Sequence, residues 1–351
     1  MIKYVIGCIF VLFTILVHAA TIHDDLISGD VSRVQTALNQ GIEVDYRYQG
    51  GFTALHSASD QGNFAVAKLL IESGADVNAV ADDGSTALHT INVNAYLKNL
   101  NLFRNFSHER MVTVDESDGH IAVLKLLLSK GAKIDHRDSF GVTPLYLMTE
   151  RGMIKIAEIL ILNGANPWIA DKDYKVAPLH LMADQGYSQL VKLAFEKWSK
   201  ASANILDSNG FSPLMRIGDS AFLDAKQSAE LRAMSDGFAM LGDALDGKQV
   251  EEAETIIPAA LINESHLETA RILVKNGADV DAIQAIENGN NWSVLHFAAY
   301  RGAASLIKEL IELGADPNAK LRSGHTVLDV AIENKQQEVI KILKQVNIQS
   351  K

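Results

Sequence analysis

One cysteine occurs in the 351 residues, Cys8, and it sits within an apolar N-terminal run. The rest of the chain therefore has no thiol and no disulfide, a state that suits an exported protein without requiring export. Runs of lysine and arginine are missing too, and the formal charge is -11. An acidic surface repels phosphate backbones, which argues against nucleic acid as a partner. Catalytic signatures are absent: there is no Gly-x-Ser-x-Gly elbow, phosphate loop, dinucleotide fingerprint or His-Glu-x-x-His helix. General disorder is excluded in turn, because 48% of the residues are hydrophobic and 21% charged.

What the chain does have is a period. Thr-Ala-Leu-His at 53–56 returns thirty-three residues later at 86–89. Variants follow at 143–146, 177–180, 212–215, 293–296 and 326–329. Most lead through an amphipathic run to a Gly-Ala pair, at Gly74, Gly131, Gly164, Gly277 and Gly314. A fixed period of this length makes a stack of one repeated unit. Thr or Ser at the start of the first helix can cap free amides, and Pro144, Pro178 and Pro213 then fall where a missing N–H costs nothing. Gly62 breaks the first helix, and Phe64, Ala67, Leu69, Leu70 and Ile71 carry an apolar stripe that only neighbouring repeats can bury.

The Thr-x-Leu-His, Gly and Gly-Ala-Asp-Val-Asn elements resemble the ankyrin repeat, over roughly residues 22–346. The resemblance implies an all-α solenoid of helix-turn-helix units with projecting loops. It also implies that His56, His89, His180 and His296 hydrogen-bond neighbouring loop backbone and form no catalytic array. The organisation expected is a signal peptide at 1–20, a degenerate capping repeat at 21–49, repeats over 50–217 and again over 265–346, and a tail at 347–351. Seven units are recognisable besides the N-terminal one. Two segments break the register: about 92–118, and 218–264, the latter an insertion or an eroded eighth repeat. The first insertion is either a binding arm or a helical extension packed on the stack, and the second, with its Ala, Leu and Met content, reads as packed helix. Repeat four departs most, with Ala177 for Thr, Trp198 for the closing Gly and a long exit over Ser199–Leu206, which puts its link to repeat five in question.

Residues 1–20 begin with Lys3, continue in an apolar core and end in small residues, the form of a cleavable secretory signal. An uncleaved segment of this length is the one feature that would tie the chain to a membrane. The polar group His108, Glu109, Asp115, Glu116, Asp118 and His120 matches no metal-ligand spacing, so no metal and no cofactor is expected.

The ankyrin resemblance implies a non-enzymatic, monomeric scaffold that binds a protein along a concave face of loop tips and first helices. Carried over by position, the tip and groove sites are Phe52, Phe140, Tyr174, Phe211 and Trp292. First-helix ends add Asp60, Gln61, Glu150, Arg151, Asp184, Gln185, Tyr300 and Arg301. Exposed aromatics and arginines are the side chains from which binding hot spots are made. A periplasmic accessory protein or a secreted effector fits these features. An enzyme with its site in an insertion and a plain structural spacer are the alternatives.

Overall fold

The computed structural model of the chain describes residues 25–92, 117–219, 262–284 and 291–349. The expected signal segment and the greater part of both insertions lie outside these residues. The chain divides into two compact units, residues 1–166 and 167–351.

The first unit holds α1 (Val31–Asn39), α2 (Ala54–Asp60), α3 (Phe64–Glu72), α4 (Asp118–Ser129), α5 (Pro144–Glu150) and α6 (Ile154–Leu162). The second holds α7 (Pro178–Asp184), α8 (Ser188–Lys197), α9 (Pro213–Arg216), α10 (Glu264–Lys275), α11 (Val294–Tyr300), α12 (Ala304–Glu312), α13 (Val327–Glu333) and α14 (Gln337–Gln349). Among the described residues β pairing is limited to single bridges, Ile283 with Ser293 and Lys320 with Thr326. The fold is the all-α repeat architecture expected.

Local chemistry explains where each first helix begins. Thr143 Oγ1 accepts the Tyr146 N–H at 3.2 Å, and Pro144, Pro178 and Pro213 stand in the opening turn. Ala177 has no side-chain cap to offer; the His180 N–H donates to Ala177 O at 2.9 Å, and His180 Nδ1 accepts the Ala177 N–H at 3.1 Å as in the other repeats. Second helices each bury one stripe, such as Val66, Ala67 and Leu70 on α3 or Leu306, Ile307 and Leu310 on α12. In the first unit α3 packs on α1 and α4. In the second, α8 packs on α10, α10 on α12 and α12 on α14. Each stripe is thereby closed by the next repeat.

Helix packing settles where the insertions sit. α4 lies against α2 and α3, the place of the second helix in the repeat that starts at Thr86. The first insertion therefore separates the two halves of one repeat, and Ser117 caps the resumed helix through the His120 N–H. Asp118, read from spacing as insertion, is already helical. The second insertion has the same position. α9 packs on α7, α10 and α11, and α10 takes the second-helix place between α8 and α12. Those helices are in direct contact, and residues 220–261, on which the insertion or eroded-repeat reading falls, lie outside the described residues. Asn263 caps α10 and Glu264 is its first residue, so this insertion too ends earlier than spacing implies.

The link from repeat four to repeat five is intact despite Trp198. Asn204 Oδ1 accepts the Asp279 N–H at 2.8 Å, and its Nδ2 donates to Gly277 O at 2.7 Å. Asn78 does the same in the first unit, with Lys133 N–H at 2.8 Å and Gly131 O at 3.2 Å. At the C-terminal end α14 keeps Gln337, Lys341, Lys344 and Gln345 exposed, as a terminal repeat requires. Gln336 is the exception: it is buried, and its Nε2 reaches Tyr300 O at 3.4 Å.

Candidate protein-binding surface

Three of the four recurrent histidines, His56, His89 and His180, use both ring nitrogens in holding repeats together. Nδ1 accepts a backbone N–H at the start of its own helix, from Thr53 for His56 and Thr86 for His89, both at 3.1 Å. With Nδ1 accepting, Nε2 carries the proton and donates to the following repeat: His56 to Ser85 O at 3.1 Å, His89 to Val142 O at 3.2 Å and His180 to Phe211 O at 3.2 Å. His296 keeps Ser293 Oγ at 2.7 Å, while its buried Nε2 lies near Ala319 and His325 without reaching hydrogen-bond geometry. Burial favours the neutral ring and pushes His89 and His180 down to about 4.

Two further histidines do this work at the insertions, where no Thr-x-Leu-His pattern announces them. His120 Nδ1 meets Ser117 Oγ at 2.7 Å and its Nε2 meets Asp60 O at 3.0 Å. His266 Nδ1 meets Asn263 Oδ1 at 2.8 Å and its Nε2 meets Asp184 O at 3.2 Å. His120 therefore has both ring nitrogens committed, and no cluster of metal-ligating residues occurs among the described residues. His108, Glu109, Asp115 and Glu116 lie outside them.

The expected partner-binding residues separate into three groups. Phe140 and Tyr174 stand out at loop tips, 60% and 67% exposed, and Gln61 and Glu150 are exposed at first-helix ends. Phe52, Asp60, Arg151, Gln185, Phe211, Trp292 and Tyr300 are half-buried. Asp184 and Arg301 are buried, Arg301 with 3% of its surface accessible.

Arg301 is thus corrected from a hot-spot candidate to an internal anchor. Its Nη1 donates to Met215 O at 2.8 Å and Ile217 O at 3.4 Å, and its Nη2 to Asp219 Oδ1 at 2.7 Å. Met215 lies in the last turn of α9, Ile217 is its C-cap and Asp219 stands at the start of the second insertion. Arg151 occupies the matching place in the first unit, where Nη1 reaches His89 O at 3.3 Å and Ile91 O at 3.4 Å. Each insertion is therefore rooted between an arginine from the following repeat and a histidine bonded to the preceding one.

In the second unit the expected aromatics converge. Phe211 and Phe297 have centroids 4.9 Å apart, Trp292 lies 5.2 Å from Phe297, and Trp292 meets Tyr300 edge-on at 5.7 Å. Arg216 stacks 5.1 Å above Phe211, and Arg301 stacks 5.5 Å from Phe297. Arg216 in turn is held by the buried Asp207 and by Asp219 at 3.3 Å. Phe297 and Arg216 were missed by position-by-position transfer. Their signal was the adjacency of Phe211 and Trp292 to the same first-helix register.

Comparison with known proteins agrees with the repeats. Family profiles described as ankyrin repeats match residues 38–91 in many-copy form and 256–351 in three-copy form. The chain carries ankyrin repeats over these residues. Among its relatives, the putative ankyrin repeat protein YahD of Escherichia coli K12 is 27% identical over 184 residues, 47% of this chain and 89% of that protein. A putative ankyrin repeat protein of Rickettsia bellii is 32% identical over 133 residues, 38% of this chain and 33% of that one. The ankyrin repeat and KH domain-containing protein mask-1 of Caenorhabditis elegans is 28% identical over 166 residues, which span 5% of its length. The ankyrin stack found here is thus a module shared by proteins of very different size.

Proposed function

We propose that this ankyrin-repeat protein is an exported, non-enzymatic scaffold that holds a protein partner on its loop tips and first helices. The observation that carries the reading is the pair of aromatic rings, Phe140 and Tyr174, left more than half exposed at two tips. Large rings at such positions gain nothing from the core and supply the contact area that binding hot spots use. The employed histidines and the lack of catalytic signatures support a binding role over an enzymatic one. Export, to the periplasm or beyond, rests on the form of residues 1–20.

Crosslinking capture tests the reading, with the chain from Thr21 as one bait and a triple variant, Phe140→Ala, Tyr174→Ala and Trp292→Ala, as the other. A partner retained by the first bait and lost from a still-folded second supports it. Identical capture profiles would refute the assigned face. Export is tested separately by the N-terminal residue of the protein recovered outside the cytoplasm, expected at Thr21.

A further inference from the structure

Four Asn-Gly pairs occur in the sequence, at 163–164, 209–210, 276–277 and 288–289. The dipeptide is chemically labile in water, because glycine brings no side chain to hinder attack of its own nitrogen on the neighbouring carboxamide. Three of the pairs fall within the described residues, and the fold treats them unequally. The glycine N–H does not distinguish them. It donates at 3.0 Å in each, from Gly164 to Ile161 O, from Gly210 to Asp207 O and from Gly277 to Val274 O. The asparagine side chains do distinguish them. Asn163 and Asn276 are helix C-caps, and their Nδ2 groups donate to Ile159 O at 2.7 Å and to Ile272 O at 2.8 Å. Reaction there has to break that bond and undo the end of a helix. Asn209 is exposed at the tip of repeat five, and its carboxamide makes no hydrogen bond within the described residues. Its backbone alone is held, the N–H by Asp207 Oδ1 at 2.8 Å and the carbonyl by Gln284 Nε2 at 3.0 Å.

The residue after the pair makes the position consequential. Phe211 O accepts the Asp207 N–H at 3.0 Å, which closes the tip, and the His180 Nε2–H at 3.2 Å, which joins repeat four to repeat five. The Phe211 N–H donates to Asp207 Oδ1 at 3.0 Å, and its ring is the one that Phe297 meets at 4.9 Å. Each of these contacts depends on the length of main chain between Asp207 and Phe211. A carbon added to that chain at 209 misplaces all of them.

We propose that Asn209–Gly210 is a site of spontaneous deamidation, and that its isoaspartate product loosens the join between repeats four and five and shifts Phe211 within the aromatic cluster. Solvent base takes the proton of the Gly210 nitrogen, which attacks Asn209 Cγ. The Cγ–Nδ2 bond breaks, ammonia leaves with a proton from water, and a five-membered imide closes. Water, the one co-reactant, then opens either imide carbonyl. One opening gives aspartate on an unchanged main chain. The other gives isoaspartate, whose main chain runs through the former side chain and is one carbon longer. Nothing is oxidised or reduced, and the proposal stands apart from the scaffold reading.

The test ages the full chain from Thr21 in mildly alkaline buffer, with Asn288→Gln in place so that the fourth pair is silent. Peptide mapping by mass spectrometry follows the gain of one mass unit at each asparagine, and enzymatic methylation of isoaspartate marks the longer product. Conversion at Asn209 is expected to run at least about threefold faster than at Asn163 or Asn276, the factor by which one hydrogen bond protects a carboxamide. The aged protein should have a lowered urea midpoint that tracks its isoaspartate content. The same chain with Asn209→Gln, whose imide would need a six-membered ring, should keep its midpoint on ageing. Unaged Asn209→Asp separates charge from chain length and should melt with the parent. Conversion at Asn163 or Asn276 as fast as at Asn209, or none at Asn209, would overturn the site. Isoaspartate at 209 with an unchanged midpoint would overturn the loosened join, and an equal loss in Asn209→Asp would overturn it by assigning the effect to charge.

Discussion

Replacing Arg301 separates an anchoring role from a partner contact, because the two make opposite claims about stability. In Arg301→Met, Met215 O and Ile217 O lose their donor and Asp219 loses one of its two cations. A hydrogen bond to a charged group is worth about 1.5–3 kcal/mol net, and breaking a buried pair by removing one partner costs about 3–5 kcal/mol. Arg216 still neutralises Asp219 at 3.3 Å, so the lower end applies. We expect a loss of about 3 kcal/mol. With a urea slope of about 3 kcal/mol/M this moves the second unit's midpoint down by about 1 M. Arg151→Met is the comparison variant, its bonds to His89 O and Ile91 O measuring 3.3 and 3.4 Å. It should cost about 1 kcal/mol. Equal, small shifts for the two variants would refute the anchor and return Arg301 to the list of surface contacts.

Acid should loosen the stack through its histidines. His89 and His180 are held at about 4 against 6.5 in an unfolded chain, so below pH 6.5 the unfolded state binds the extra proton. Their contribution, roughly 3 kcal/mol each, is present at neutral pH and lost as pH falls from about 6.5 to about 4; melting of His180→Gln across that window should be flatter than that of the parent. Leu55→Ala, at a side chain 1% exposed, should cost about 2–5 kcal/mol by cavity formation, read by urea unfolding. Asn204→Ala removes the two bonds that its side chain makes from repeat four to repeat five and should cost about 1–2 kcal/mol, whereas an unchanged midpoint would mean that the bridge is incidental.

The repeat architecture was legible because each of its constraints is local. A cap, a left-handed glycine and an apolar stripe are specified within a few residues, so Thr53, Gly74 and Leu70 announce themselves in order. The insertions were legible as interruptions only. Nothing local says that α4 and α10 resume a repeat begun some tens of residues earlier; that is settled by packing on α3 and on α8. The same holds for His120 and His266. Their caps, Ser117 and Asn263, carry the right spacing, but the bonds that give them purpose end on Asp60 and Asp184, far away in sequence.

Transfer by position anticipates the exposure of a first-helix end in some repeats and not in others for a similar reason. It treats a first-helix end as exposed in every repeat, which holds for Gln61 and Glu150. It fails where the previous repeat has been cut open, because the carbonyls at the cut need a donor and the nearest is the arginine one repeat on. Arg301 is drawn inward by Met215, Ile217 and Asp219, and its burial in turn sets Phe297 beside Trp292 and Phe211. Anchor and aromatic patch are consequently one construction in the second unit. In the first unit Arg151 reaches the carbonyls of His89 and Ile91, and Leu147 and Glu150 stand at the positions that Phe297 and Tyr300 hold in the second. Rooting an insertion explains the arginine.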